Sequence, residues 1–125
     1  MLIRELEKER RGYGLEARFS GENTQSSPTC GDTVTVRVSG HGFTWNGHGC
    51  SVSMAAASVI GGLDVAEFTA LEADYLVAVG GGSDARLSGD LEPFAGIGRF
   101  PLRARCATLA WRAARGAIDA AASAA

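Results

Sequence analysis

Cys30, Cys50 and Cys106 are the residues of this sequence best suited to chemistry, and Asp32 lies two positions beyond the first of them. A thiolate is both a nucleophile and a soft metal ligand. In an extended stretch, a carboxylate two residues from Cys30 points to the same side and adds an oxygen donor. Three thiolates and one carboxylate form a closed tetrahedral set suited to zinc. With no C-x-x-C pair, spacing alone does not separate this set from three buried core cysteines, the other common fate of an unpaired thiol. The glycine context favours the metal. Gly31 follows Cys30, and Gly47 and Gly49 precede Cys50, so backbone can pack closely around an ion, whereas core cysteines sit in apolar runs.

Other polar residues compete for roles. His48, two residues before Cys50, is an alternative to Asp32 as the fourth ligand, although a glycine-flanked histidine at a hairpin exit is more often exposed. His41 reads as a turn residue, and Trp45 and Trp111 as packing. Arg103 lies three residues before Cys106 and shares its face on a helix, where a guanidinium would offset the net charge of about −2 of zinc with three thiolates and a carboxylate. The other reading of Arg103 is a solvated side chain near a helix start.

These residues need elements to bring them together. The alternation at 33–39 puts Val34, Val36 and Val38 on one face, the pattern of a half-buried strand. A turn at Gly40-His41-Gly42 then leads to a second strand over 43–45, and 15–19, with Leu15, Ala17 and Phe19 on one face, is the candidate third strand. The polar run 21–28 reads as a loop that delivers the chain to Cys30, and 80–98 as a glycine-rich loop with a short turn near Pro93. Helices are expected over 2–11, over 51–60, from the cap Asp64 to 79, and over 102–122. The fold class is therefore α+β: a small antiparallel sheet of about three strands covered by helices. In this scheme Cys30 follows a Pro-Thr turn, Cys50 starts a helix and Cys106 lies in the first turns of the last helix. Such ends can converge, and a helix N-terminus favours thiolate over thiol.

The whole chain sets bounds on partners and compartment. Its 125 residues suffice for one domain, expected over 1–125, with a helix within 1–14 and a frayed alanine-rich tail at 118–125. With 12 Lys+Arg against 14 Asp+Glu the net charge is −2, which lacks the positive field that concentrates proteins on nucleic acid or anionic membranes. No apolar run reaches the length of a membrane span, and the charged N-terminus is unlike a signal peptide, so the chain reads as cytoplasmic. In that compartment, an odd count of 3 cysteines suits metal binding or thiol chemistry better than a disulfide framework.

Three stretches are more specific than composition: Ser27-Pro28-Thr29-Cys30-Gly31-Asp32, Gly47-His48-Gly49-Cys50-Ser51-Val52-Ser53, and Phe100-Pro101-Leu102-Arg103-Ala104-Arg105-Cys106-Ala107-Thr108-Leu109-Ala110-Trp111. In order, they resemble the signature motifs of the IscU/SufU family of iron–sulfur assembly proteins, over roughly 28–111. Within that family the IscU type has a histidine immediately before the third cysteine and a Leu-Pro-Pro-Val-Lys chaperone motif ahead of it. This sequence has Arg105 at the first position and nothing matching the second. The interval between Cys50 and Cys106 also accommodates the SufU-type insertion. The departures are Ser27 in place of the usual asparagine, an N-terminal segment without the family's Leu-Tyr pattern, and a short first hairpin.

The resemblance implies a SufU-type zinc-dependent sulfurtransferase, with the metal on Cys30, Asp32, Cys50 and Cys106 and an arginine at the position of Arg103. The implied partners are a SufS-type cysteine desulfurase, which would lend a histidine to the metal on docking, and a downstream SufB-type scaffold. Cys30, on a Pro-Thr-Cys-Gly turn, is the expected sulfur acceptor, because leaving the metal disturbs the least structure there. Two other readings stand beside it: an IscU-like scaffold that assembles a [2Fe-2S] cluster on the same ligands, and a divergent structural zinc protein without a sulfur partner.

Overall fold

A computed structural model describes residues 2–27, 31–80, 87 and 89–124. Its sheet is built on β2 (Asp32–Ser39), where Val34, Val36 and Val38 face inward and are buried while the intervening threonines and Arg37 face outward. β3 (Gly42–His48) pairs antiparallel with β2 through the turn at Gly40 and His41, and it buries Phe43 and Trp45 on the same inner face. β1 (Gly21–Ser27) pairs antiparallel with the other edge of β2, giving the order β1-β2-β3. The outer face is polar, with Thr24 bonded to Thr35 at 2.7 Å and Arg37 paired with Glu22 at 2.5 Å. The inner face meets the helices, so the α+β class and the antiparallel sheet are as the sequence predicts.

β1 corrects the expectation. The third strand is not 15–19, which lies outside the sheet, but Gly21–Ser27, which composition marks as a loop. The reason is its neighbour. The long helix α4 (Pro101–Ala124) crosses β1 so closely that the inward residues cannot be large and apolar. A Cβ on Gly21 would collide with the Ala117 carbonyl and come within 2.6 Å of the Ala121 nitrogen. The strand alternates in burial, as strands do, but Gly21, Asn23, Gln25 and Ser27 hide that alternation from a hydropathy pattern.

The helices form one layer over the sheet. α1 (Ile3–Glu9) inserts Leu6 against α2 (Ser51–Gly61), which is buried from Ser53 through Ile60 and so lies at the centre of the molecule. α3 (Val65–Gly80) begins at a reciprocal cap: the Glu67 N–H donates to the Asp64 side chain at 2.7 Å, and the Asp64 N–H donates to Glu67 at 3.0 Å. An aromatic column ties α3 to β3 and α4. Phe43 meets Phe68 edge-on, Phe68 stacks on Trp111, Trp111 stacks on Tyr75 at 4.1 Å, and Tyr75 meets Phe94. Trp45 and Trp111 are fully buried, as expected of packing residues.

The stretch before α4 contains the expected turn near Pro93 and a second one. Residues 81–86 and 88 lie outside the described residues, but Gly89–Phe94 and Ile97–Arg99 form 3-10 turns that bury Leu91, Phe94 and Ile97. Those residues recur every third position, the period of a 3-10 helix, amid glycines and a proline that mask the signal. α4 starts with Pro101 at its first position, where a missing N–H costs nothing, and runs to Ala124 rather than ending near 122. Among the described residues, no helix is long and apolar enough to cross a membrane.

Candidate metal centre

Three elements end at one place. Asp32 is the first residue of β2 and is buried; Cys50 is the N-cap of α2 and is exposed; Cys106 lies in the second turn of α4 and is buried. One ligand atom from each, a carboxylate oxygen and two sulfurs, lies within 4.8 Å of the others. Ligands on a common tetrahedral zinc sit about 3.4–3.8 Å apart, given bond lengths near 2.0–2.3 Å. No pair therefore needs to close by more than roughly 1.4 Å to share an ion of that size. Two sulfurs and one oxygen suit a borderline-soft cation such as zinc better than the all-oxygen shells that calcium and magnesium prefer.

The carboxylate is held from two sides. Oδ1 accepts the Cys50 backbone N–H at 3.3 Å, so Asp32 satisfies an otherwise unpaired donor at the start of α2. Oδ2 accepts the Ser53 hydroxyl at 2.6 Å. Burial pushes the Asp32 carboxyl up, but hydrogen bonds from Ser53, from the Cys106 and Cys50 thiols and from the Cys50 N–H outweigh it and hold the group below the usual carboxylate range. Gly49 makes the approach possible: a Cβ there would lie 2.5 Å from the Asp32 carboxyl carbon. The glycine beside Cys50 thus serves the close packing that the sequence suggested.

A cavity of about 380 Å³ opens beside the two sulfurs, lined by Cys50, Ser51, Val52, Leu102, Arg103 and Cys106. Arg103 shares this cavity, and its guanidinium carbon lies 5.4 Å from the centre of the Phe100 ring. Phe100 and Leu102 are more than half exposed, which is unusual for side chains of their size and gives the ligand-bearing end of α4 an apolar surface.

Of the residues singled out from sequence, Asp32, Cys50 and Cys106 come together, with Arg103 at the cavity wall. Cys30 lies outside the described residues; Ser27 and Gly31, which bracket its segment, are joined by a 2.8 Å backbone hydrogen bond beside Asp32. His48 is exposed at the end of β3 opposite Thr33 and is not in the ligand group, and His41 sits in the β2–β3 turn. Sequence reasoning missed Ser53. Its one sequence signal is a hydroxyl three residues after Cys50, on the face of a small-residue helix that becomes fully buried.

No family model matches the chain. It is 34% identical over 99 residues, 70% of its own length and 67% of the relative's, to the zinc-dependent sulfurtransferase SufU of Bacillus subtilis (strain 168). It is also 32% identical over 110 residues, 79% of its own length and 69% of the relative's, to the iron–sulfur cluster assembly scaffold protein IscU of Streptococcus pyogenes serotype M1. The crystal structure of an N-terminal NifU-like protein from Brucella abortus superposes with a TM-score of 0.86 over 98% of this chain and 93% of that one; at 20% identity this is a likeness of fold. Two relatives above thirty percent identity, each matched over two thirds of its length, and a shared fold place the chain in the IscU/SufU family of iron–sulfur cluster assembly proteins.

Proposed function

We propose that this protein is a zinc-dependent sulfur acceptor, taking persulfide sulfur from a cysteine desulfurase through Cys30 and passing it to an iron–sulfur scaffold. The observation that carries this reading is the convergence of Asp32, Cys50 and Cys106 from three separate elements within 4.8 Å. Similarity to a protein named as a zinc-dependent sulfurtransferase supports it. Cys30, two residues from Asp32 in sequence, completes the proposed ligand set. Zinc, when bound, keeps thiols deprotonated near neutral pH and has no redox chemistry of its own.

The residues divide the work. Cys50 and Cys106 are anchored at a helix cap and within a helix, and Asp32 is fixed by two hydrogen bonds, so these act as the stationary side of the centre. The Cys30 thiolate attacks the outer sulfur of the donor's persulfide. The donor's sulfur–sulfur bond breaks, its cysteine leaves as a thiolate, and the transferred sulfur becomes a persulfide on Cys30, with no net oxidation. Arg103, at the cavity wall, offsets the negative charge gathered there. Phe100 and Leu102, exposed beside the cavity, provide the apolar surface on which the donor protein docks.

A second reading has its own support in the similarity to an IscU scaffold: assembly of a [2Fe-2S] cluster on the same ligands. Metal analysis of protein purified without added metal, together with desulfurase turnover, separates the two. Colourless protein with stoichiometric zinc that accelerates a desulfurase supports the sulfur acceptor. Coloured protein with bound iron after anaerobic reconstitution and no acceleration supports the scaffold.

A further inference from the structure

Ser53 touches all three described ligand-bearing residues. Its hydroxyl donates to Asp32 Oδ2 at 2.6 Å, lies 3.3 Å from the Cys106 carbonyl oxygen, and lies 3.7 Å from the Cys50 sulfur. The side chain is fully buried, in a helix that buries Ala55, Ala56 and Ala57 beyond Met54, so packing alone would be served as well by alanine. One hydroxyl carries one proton, and between a carboxylate and a peptide carbonyl the shorter, charge-assisted bond takes it. The proton therefore belongs to Asp32.

We infer that Ser53 is the positioning residue of the metal centre, fixing Asp32 as a ligand through a single oxygen. This rests on the proposed metal site and adds to it. With Oδ2 held by Ser53 and Oδ1 by the Cys50 N–H, turning the carboxylate to chelate an ion with both oxygens, the mode that larger cations exploit, costs these bonds. The carboxylate is oriented before any ion arrives, and partners of this kind typically affect metal affinity 10–100-fold.

The test uses the full chain and two ions. Zinc affinity is measured by competition with a chromophoric chelator, and coordination is read from the absorption of the cobalt(II)-substituted protein, for wild type, Ser53→Ala, Asp32→Ala and the double variant. Alanine favours the helix, and far-UV circular dichroism checks that the variants fold. The expected result is an affinity about 10–100-fold lower for Ser53→Ala, weaker cobalt bands as coordination number rises above four, and no further loss when Ser53→Ala is added to Asp32→Ala. Wild-type affinity and an unchanged cobalt spectrum in Ser53→Ala overturn the inference, as does a Ser53→Ala effect that persists in full without Asp32. A wild-type protein that takes up neither ion overturns the metal site itself, which distinguishes that failure from the failure of Ser53's role.

Discussion

Asp32 ties the chemistry to the fold, because one carboxylate both caps the start of α2 and faces two thiols. Cys50 and Cys106 hold the other two described positions, and His48, the alternative ligand nearest in sequence, is not in the group. Cys106→Ala is therefore expected to abolish stoichiometric zinc while leaving the helical circular dichroism in place. Cys50→Ala should do the same from the exposed side. Metal analysis after gel filtration checks both, and a variant that retains a full complement of zinc removes that residue from the ligand set. The candidate site was legible in the sequence because thiols and carboxylates announce their chemistry by type, and because glycines stand beside Asp32 and Cys50. Ser53 was not, since a serine within an alanine-rich helix has no signature until β2 brings Asp32 against it.

At the scale of elements, legibility tracked how each element is buried. β2 was readable because valines alternate with polar residues, and α3 because Asp64 marks its cap, which Glu67 completes in the structure. β1 was not, because it packs against α4 by being small rather than apolar, and a period-2 rule on hydropathy has nothing to detect. That packing makes a prediction. In Gly21→Ala the added methyl meets backbone atoms of Ala117 and Ala121, which cannot rotate away as a side chain would. The variant should lose about 1–3 kcal/mol, the usual range for overpacking. Urea unfolding checks it, and a wild-type midpoint would show that the α4–β1 contact is looser than described. Leu91, Phe94 and Ile97 make the same point, since tertiary burial turned a glycine-rich stretch into 3-10 turns.

In the whole molecule, the proposed centre joins the sheet, α2 and α4 at one end, while the aromatic column from Phe43 to Phe94 joins β3, α3 and α4 through the interior. An ion bound across three elements stabilises the folded state over the unfolded chain, which has no such site. At zinc a hundredfold above Kd the gain is about 2.7 kcal/mol, or roughly 10 °C in Tm for a domain of this size. Calorimetry with and without a chelator should show that shift in wild type and none in Cys106→Ala. The architecture could be anticipated because the valine stripe, the helix signals and the three motifs agreed, as could the turn near Pro93; the path of β1 and the second turn, Ile97–Arg99, required the assembled core. The most direct test of sulfur acceptance is mass spectrometry of the zinc-loaded chain after incubation with a cysteine desulfurase and cysteine, without reductant. One added sulfur is expected on the peptide containing Cys30, absent from Cys30→Ser; an unmodified wild-type chain, or a persulfide formed at the wild-type rate on Cys50 or Cys106 of Cys30→Ser, would rule out Cys30 as the acceptor.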